Sequence, residues 1–386
     1  MSLNPSTIHT VILFTVLGLI DALPSEFEEN QCTKSSRPIH REYFYVGGEY
    51  TYDSSFKGSI MTGQMYVEHL TSPYGTQQRY PLVLIHGNAM TGTTWLNTPD
   101  GRPGWASYFL EQGYEIYIVD QPARGRSIWS PNGNAVLNIY SAEMMEQRFT
   151  ATDYYQLWPQ AILHTQWPGD NNSTKGRQGD SIFDAFYAST VQLVASEVTV
   201  QTMMQKAGVA LLDKIGPAVL LTHSQSGSFG WLIADIRPNL VKGIVSIEPK
   251  GPPFREAVFT NRSARLWGVT DIPLTYHPVA NSSADLLTIE IPSTDENRTS
   301  CILQQAPVRT LTHLVNIPVL IETAQASYHA VYDHCTVEYL RQAGMNVDFL
   351  RLEDREVYGN GHLQMMEKNN LRIAEILHQW ITKHVH

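Results

Sequence analysis

The chain has 386 residues, 42% of them hydrophobic and 10% aromatic, which is enough to bury one large core or two modest ones. Acidic residues outnumber basic ones, 37 to 27, for a net charge of -10, and no lysine or arginine cluster is placed to follow a phosphate backbone. Nucleic-acid binding is therefore disfavoured, and the net charge reports mainly solubility.

In chain order, an apolar run over residues 11–20 is followed by Asp21, Ala22, Leu23 and Pro24, which reads as a signal peptide over residues 1–22. The run is about half of the roughly 20 residues that span a bilayer, so a membrane anchor is the weaker reading. Short β-branched runs then alternate with helical patterns, the signature of a parallel sheet with crossover helices. A strand over 81–85 ends at His86 and Gly87, a helix over 105–112 stops at Gly113, and a strand over 114–119 ends at Asp120. Further on, a strand over 218–221 runs into Thr222, a helix over 228–236 is stopped by Pro238, and a strand over 241–247 ends at Glu248 and Pro249. Strands over 317–321 and 347–352 and helices over about 335–343 and 366–383 complete the pattern. We read the whole as one α/β domain over 23–386, with long connections at about 129–196 and 251–316 carrying cap or lid structure.

The chemistry gathers at T-H-S-Q-S-G, residues 222–227, where strand meets helix. A nucleophile on such a sharp turn projects its Oγ above the sheet, and Ser224 is the middle residue of this variant of G-x-S-x-G. Ser226 is the rival hydroxyl, one step into the helix. A serine needs a general base, and His362 in G-N-G-H lies on a glycine-rich turn between the last strand and the last helix. The third member must be a carboxylate at the strand ends. The stretch 323–327 after the strand that usually supplies it holds none. Glu248, ending the strand that follows the nucleophile helix, is the best-placed acid, with Asp333 and Glu322 as alternatives. The oxyanion hole calls for two convergent amides, expected from Gln225 and from Asn88 in the loop after the first parallel strand.

The segments H-G-N-A-M-T-G-T-T-W, V-D-Q-P-A-R-G-R-S, T-H-S-Q-S-G, I-E-P-K-G-P-P-F and G-N-G-H resemble α/β-hydrolase esterases of the bacterial type in which a glutamate after the sixth strand replaces the usual aspartate after the seventh. That resemblance implies the α/β-hydrolase fold, Ser224 as nucleophile, His362 as base, Glu248 as acid, Asn88 and Gln225 as oxyanion donors, and carboxylic-ester hydrolysis without a cofactor. It covers most of the core and little of the two long connections. Aromatic residues crowd the first of these, from Trp129 through Tyr140, Phe149, Tyr154, Tyr155, Trp158, Trp167, Phe183 and Phe186 to Tyr187, and those that line the site would favour an apolar or aromatic ester or lactone.

Sequons at Asn171, Asn172, Asn261, Asn281 and Asn297 are glycosylation candidates. Three cysteines, Cys32, Cys301 and Cys335, permit one disulfide, for which Cys301 with Cys335 is our preference. No metal motif is present; His329 and His334 read as ordinary polar residues. Arg124 and Arg126 beside Asp120 read as local ion pairing, with an acidic substrate group as the other possibility. Other functions compatible with the sequence are a lactonase acting on a secreted metabolite, an acyltransferase on the same fold, and a non-catalytic binding protein that keeps the fold. Oligomeric state is not legible in the sequence.

Overall fold

The computed structural model describes residues 38–130, 136–170 and 172–386, so the expected signal segment, Cys32 and Asn171 lie outside the described residues. A long antiparallel hairpin comes first, β1 (His40–Asp53) and β2 (Gly58–Thr71), then β3 (Leu82–Ile85), α1 (Trp105–Glu111) and β4 (Ile116–Asp120). The first long connection holds only short pieces: β5 (Leu137–Asn138), α2 (Ala142–Met145), α3 (Thr152–Tyr155), α4 (Ser181–Ala188) and β6 (Leu193–Val194). There follow α5 (Glu197–Ile215), β7 (Ala218–His223), α6 (Ser226–Ile236) and β8 (Val241–Ile247). The second connection carries the small ribbon β9 (Thr288–Ile291) and β10 (Cys301–Gln304), before β11 (Val319–Thr323), α7 (Asp333–Gln342), β12 (Val347–Arg351) and α8 (Asn370–His384).

Eight strands form one sheet in the order β1-β2-β4-β3-β7-β8-β11-β12. The hairpin joins β4 antiparallel, and every pairing from β4 to β12 is parallel. The expected parallel sheet with crossover helices is therefore present, with an antiparallel edge that the sequence reading did not include. Strands β3, β4, β7 and β11 are buried along their whole length, the reason each reads as a continuous apolar run rather than an alternation. Two apolar layers cover the faces. One packs α5 and α6 on the sheet through Met204, Leu211, Phe229 and Leu232. The other packs α1 and α8 through Phe109, Ile373, Leu377 and Trp380.

Helix starts and stops follow local chemistry. Ser196 caps α5, its Oγ accepting from Thr199 N at 3.2 Å, and Gly216 at φ 85° ends it in a conformation that suits a residue without Cβ. On α8, Ile373, Leu377 and Ile381 recur every fourth residue and are buried, so the stripe that predicts the helix is the stripe that packs. A disulfide joins Cys301 to Cys335, tying β10 to α7. Among the described residues no helix is long and apolar enough to cross a membrane.

Candidate active site

Ser224 occupies the turn between β7 and α6 at φ 58°, a left-handed conformation that a non-glycine residue adopts only where the surroundings enforce it. The enforcement is visible. Ser224 N donates to Ile247 O at 3.0 Å, while Ser224 O accepts from Gly227 N at 3.0 Å and from Lys250 N at 2.9 Å. A Cβ on Gly227 would lie 2.5 Å from Pro249 Cβ, so the elbow needs glycine three residues after Ser224 because α6 runs against the end of β8. The first flanking position tolerates a threonine because Thr222 Oγ1 and Ser246 Oγ pair at 2.9 Å across β7 and β8.

Ser226 is structural. Its buried hydroxyl accepts from His223 N at 2.7 Å and lies 2.7 Å from Ile85 O, stapling the elbow to β3. Ser224, half-buried, lines a cavity of about 160 Å³ together with His362, Asn88, Gln225, Tyr140, Phe149 and Tyr328. Among the described residues no hydrogen bond joins Ser224 to His362, an open contact common before substrate binds.

The G-N-G-H turn is built around buried Glu367, which accepts from Gly361 N at 3.0 Å and Asn360 Nδ2 at 2.7 Å. His362 Nδ1 then meets Glu248 Oε2 at 2.5 Å. Glu248 directly follows β8 at φ 45°, and its carboxylate also accepts from Ala324 N at 2.8 Å and Ser327 Oγ at 2.7 Å. The other two carboxylates are engaged elsewhere. Asp333 binds His329 Nδ1 at 2.9 Å and Thr323 Oγ1 at 2.7 Å, and Glu322 Oε2 accepts from Gln364 Nε2 at 2.7 Å.

Burial pushes the His362 imidazole well below its ordinary range, and the neighbouring His223 and His329 rings push it the same way. The ring is thus neutral at neutral pH, the form a general base requires. Burial first, and then the nearby Glu322 and Asp333 carboxyls, hold Glu248 well above the ordinary carboxylate range, and the hydrogen bonds from Ser327 and Ala324 N offset only part of that.

The backbone amides of Asn88 and Gln225 donate to no protein acceptor among the described residues, and both residues line the cavity. A Cβ on Gly87 would lie 2.8 Å from His223 Nδ1 and 3.1 Å from Ser224 Cβ; the absent side chain lets the two loops meet.

Two sequence expectations change. His329 is a buried residue stacked on His362, ring centroids 4.8 Å apart and planes 5° from parallel, with Nε2 3.0 Å from Tyr332 Oη. A histidine and its aspartate four residues apart on a tight turn were the available signal, but the stacking partner lies 33 positions away along the chain. Of the two arginines, Arg126 makes the expected local ion pairs, to Asp120 at 2.8 Å and Glu68 at 2.5 Å, whereas Arg124 bonds no carboxylate. Among the ten aromatic residues of the first connection, Tyr140 and Phe149 reach the cavity, while Trp167, Phe183 and Phe186 are core.

Glu248, His329 and His362 place ligand atoms within 4.8 Å of one another, but His329 engages both ring nitrogens with Asp333 and Tyr332. The set does not converge on an ion. Cys301 and Cys335, beside His334, are consumed by the disulfide.

No protein-family model matches the chain. A probable secreted lipase, phiG, of Fungal sp. (strain ATCC 74256) is 49% identical over 342 residues, covering 88% of this chain and 89% of that one. The chain belongs to this lipase family. The solved structure of a novel bacterial esterase superposes with a TM-score of 0.60 at 23% identity, covering 91% of this chain and 98% of that one, a likeness of fold. The fold is therefore that of an α/β-hydrolase, and in this lipase family member the elbow, the late histidine turn and the strand-end carboxylate meet at one edge of the sheet.

Proposed function

We propose that the protein is a secreted serine hydrolase that cleaves carboxylic esters through an acyl-enzyme on Ser224. The observation that carries the reading is the strained Ser224 elbow opening into the same cavity as a neutral, buried His362 whose Nδ1 is held by Glu248. Ser224 Oγ attacks the ester carbonyl carbon as His362 Nε2 takes its proton. The carbonyl π electrons move onto oxygen, and the amides of Asn88 and Gln225 receive that oxyanion. Collapse breaks the bond to the alkoxy group, which leaves as the alcohol with the proton from His362. Water, deprotonated by the same imidazole, releases the acid and restores Ser224. Glu248 accepts the Nδ1 proton, which holds the ring in the tautomer whose Nε2 is unprotonated, and stabilises the protonated ring between steps.

The cavity, about 160 Å³ with Tyr140, Phe149, Phe259 and Tyr328 in its walls, suits an ester with a short or flat apolar group. The segments 129–196 and 251–316 act as the cap, since both contribute walls. Secretion is supported by the fungal relative being a probable secreted lipase, by the disulfide and by the exposure of Asn172, Asn261, Asn281 and Asn297, which we take as glycan acceptors.

The test is turnover of p-nitrophenyl butyrate, with a lactone alongside. Ser224→Ala should abolish hydrolysis and fluorophosphonate labelling. Glu248→Gln should lower kcat by about 10³- to 10⁴-fold, whereas Asp333→Asn keeps most of it. Substantial turnover by Ser224→Ala, or a reversal of the two acid variants, would overturn the assignment.

A further inference from the structure

Arg124 is fully buried, and all of its side-chain hydrogen bonds run to the two segments that flank the oxyanion position. Its Nη1 donates to Gly87 O at 3.2 Å, and its Nη2 donates to Asn88 Oδ1 and to Gln225 Oε1, each at 2.9 Å. One guanidinium therefore spans the gap between the loop after β3 and the elbow after β7. These are the residues whose amides line the cavity without a protein acceptor.

Two observations show that this cation is not balanced by an ordinary ion pair. Among the described residues no carboxylate oxygen lies within 4.0 Å of it, and its Nε has no hydrogen-bond partner although it is buried. The carboxylate that acts on it from further away, Glu197, is itself bound to Lys250 at 2.5 Å and accepts from Gln225 Nε2 at 3.2 Å. Burial pushes the guanidinium down only to about 10, which leaves it charged at neutral pH. A buried charge without a counter-charge is costly, and it persists where something else requires it.

We infer that Arg124 is the positioning residue of the oxyanion hole: it locks the Asn88 and Gln225 segments at one separation and supplies positive charge behind the point where the tetrahedral oxygen becomes negative. The oxyanion's negative charge forms only during the reaction, so Arg124 favours the transition state over the bound ester. The planar fork matters as much as the charge, because three acceptors on two loops are met from one rigid group, which a lysine cannot reproduce. The sequence D-Q-P-A-R-G-R-S gives the two arginines the same surroundings, and only the fold separates the surface ion-pairer, Arg126, from Arg124. The inference rests on the serine-esterase reading above.

The experiment compares wild type with Arg124→Met and Arg124→Lys on p-nitrophenyl butyrate, with Arg124→Ala as the variant that leaves room for an added guanidinium ion. It also measures inhibition by a trifluoromethyl ketone, which captures Ser224 as a hemiketal oxyanion. We expect kcat to fall about 100-fold in both variants, with KM changed less than threefold. The inhibition constant should rise by the same factor as kcat/KM falls, and added guanidinium ion should restore part of the activity of Arg124→Ala. A purely structural arginine would lower thermal stability without that proportionality. A kcat within threefold of wild type in folded variants, or an unchanged inhibition constant, would overturn the inference. If Arg124→Met does not fold, Gln225→Met removes one of the three anchors and is read by the same two measurements. Failure of the esterase reading looks different: wild-type protein then turns over neither substrate class, or Ser224→Ala stays active.

Discussion

His362, the proposed base, sits in a crowded aromatic sleeve. His362 stacks on His329 on one side and against Phe149 on another, 5.4 Å between centroids, with Tyr328 and His223 closing the remainder. Little water reaches the ring, so the imidazolium is disfavoured. A histidine whose pKa is lowered loses its neutral form only when pH falls below the ordinary value of 6.5 and through the lowered one. The kcat/KM profile is therefore expected to stay flat from pH 8 down to 6.5 and to bend only at more acid pH. An acid limb centred at or above pH 6.5 would contradict the burial argument. Ser224, His362 and Glu248, which the structure brings together, were legible as candidates because each ends or follows a strand inside a short motif. His329 and Arg124 were not, since their roles depend on contacts between segments that sequence spacing does not relate.

At the level of elements, the sheet from β3 to β12 was readable because buried parallel strands are continuous apolar runs bounded by glycine and proline. The hairpin of β1 and β2 was not, because along β1 Val46 and Asp53 are buried and Phe44 half-buried while Tyr43, Tyr45, Tyr50 and Tyr52 lie exposed, which leaves too few inward apolar positions to read as an alternation. The sharpest constraint lies where two elements touch end to end. Gly87 follows β3 and abuts the β7 elbow so closely that a methyl group would press on His223 and Ser224, both of which are part of the site. Gly87→Ala is expected to lower kcat/KM by at least about tenfold and stability by about 1–3 kcal/mol. Gly58→Ala, whose Cβ would have its nearest neighbour, Phe56 O, at 3.8 Å, is expected to change stability by less than about 0.5 kcal/mol. Kinetics and denaturant midpoints of the two proteins check both, and equal effects would show that the approach at Gly87 relaxes easily.

Over the whole molecule, the second connection is a long excursion from the sheet whose ends are held by β8 and β11, and its small ribbon is tied down at β10. Cys301 bonds Cys335 of α7, and the clasp is repeated three residues on, where Gln342 Oε1 accepts from Gln304 N at 2.8 Å and Gln342 Nε2 donates to Gln304 O at 2.9 Å. The disulfide closes a loop of 34 residues, and chain-entropy reasoning assigns such a closure about 3–4 kcal/mol. Because α7 also begins with Asp333, the partner of His329, loosening its first turn would reach the sleeve around His362. A Cys301→Ser, Cys335→Ser double variant should therefore unfold at lower denaturant, by an amount near that figure. A reductant should shift the wild-type midpoint to the same place and leave the variant unmoved. If the variant matches oxidised wild type instead, the glutamine clasp holds the ribbon without the disulfide, helped by ring contacts between the two long connections: Arg148 over Phe259 at 4.1 Å and Trp158 against Phe259 at 6.0 Å.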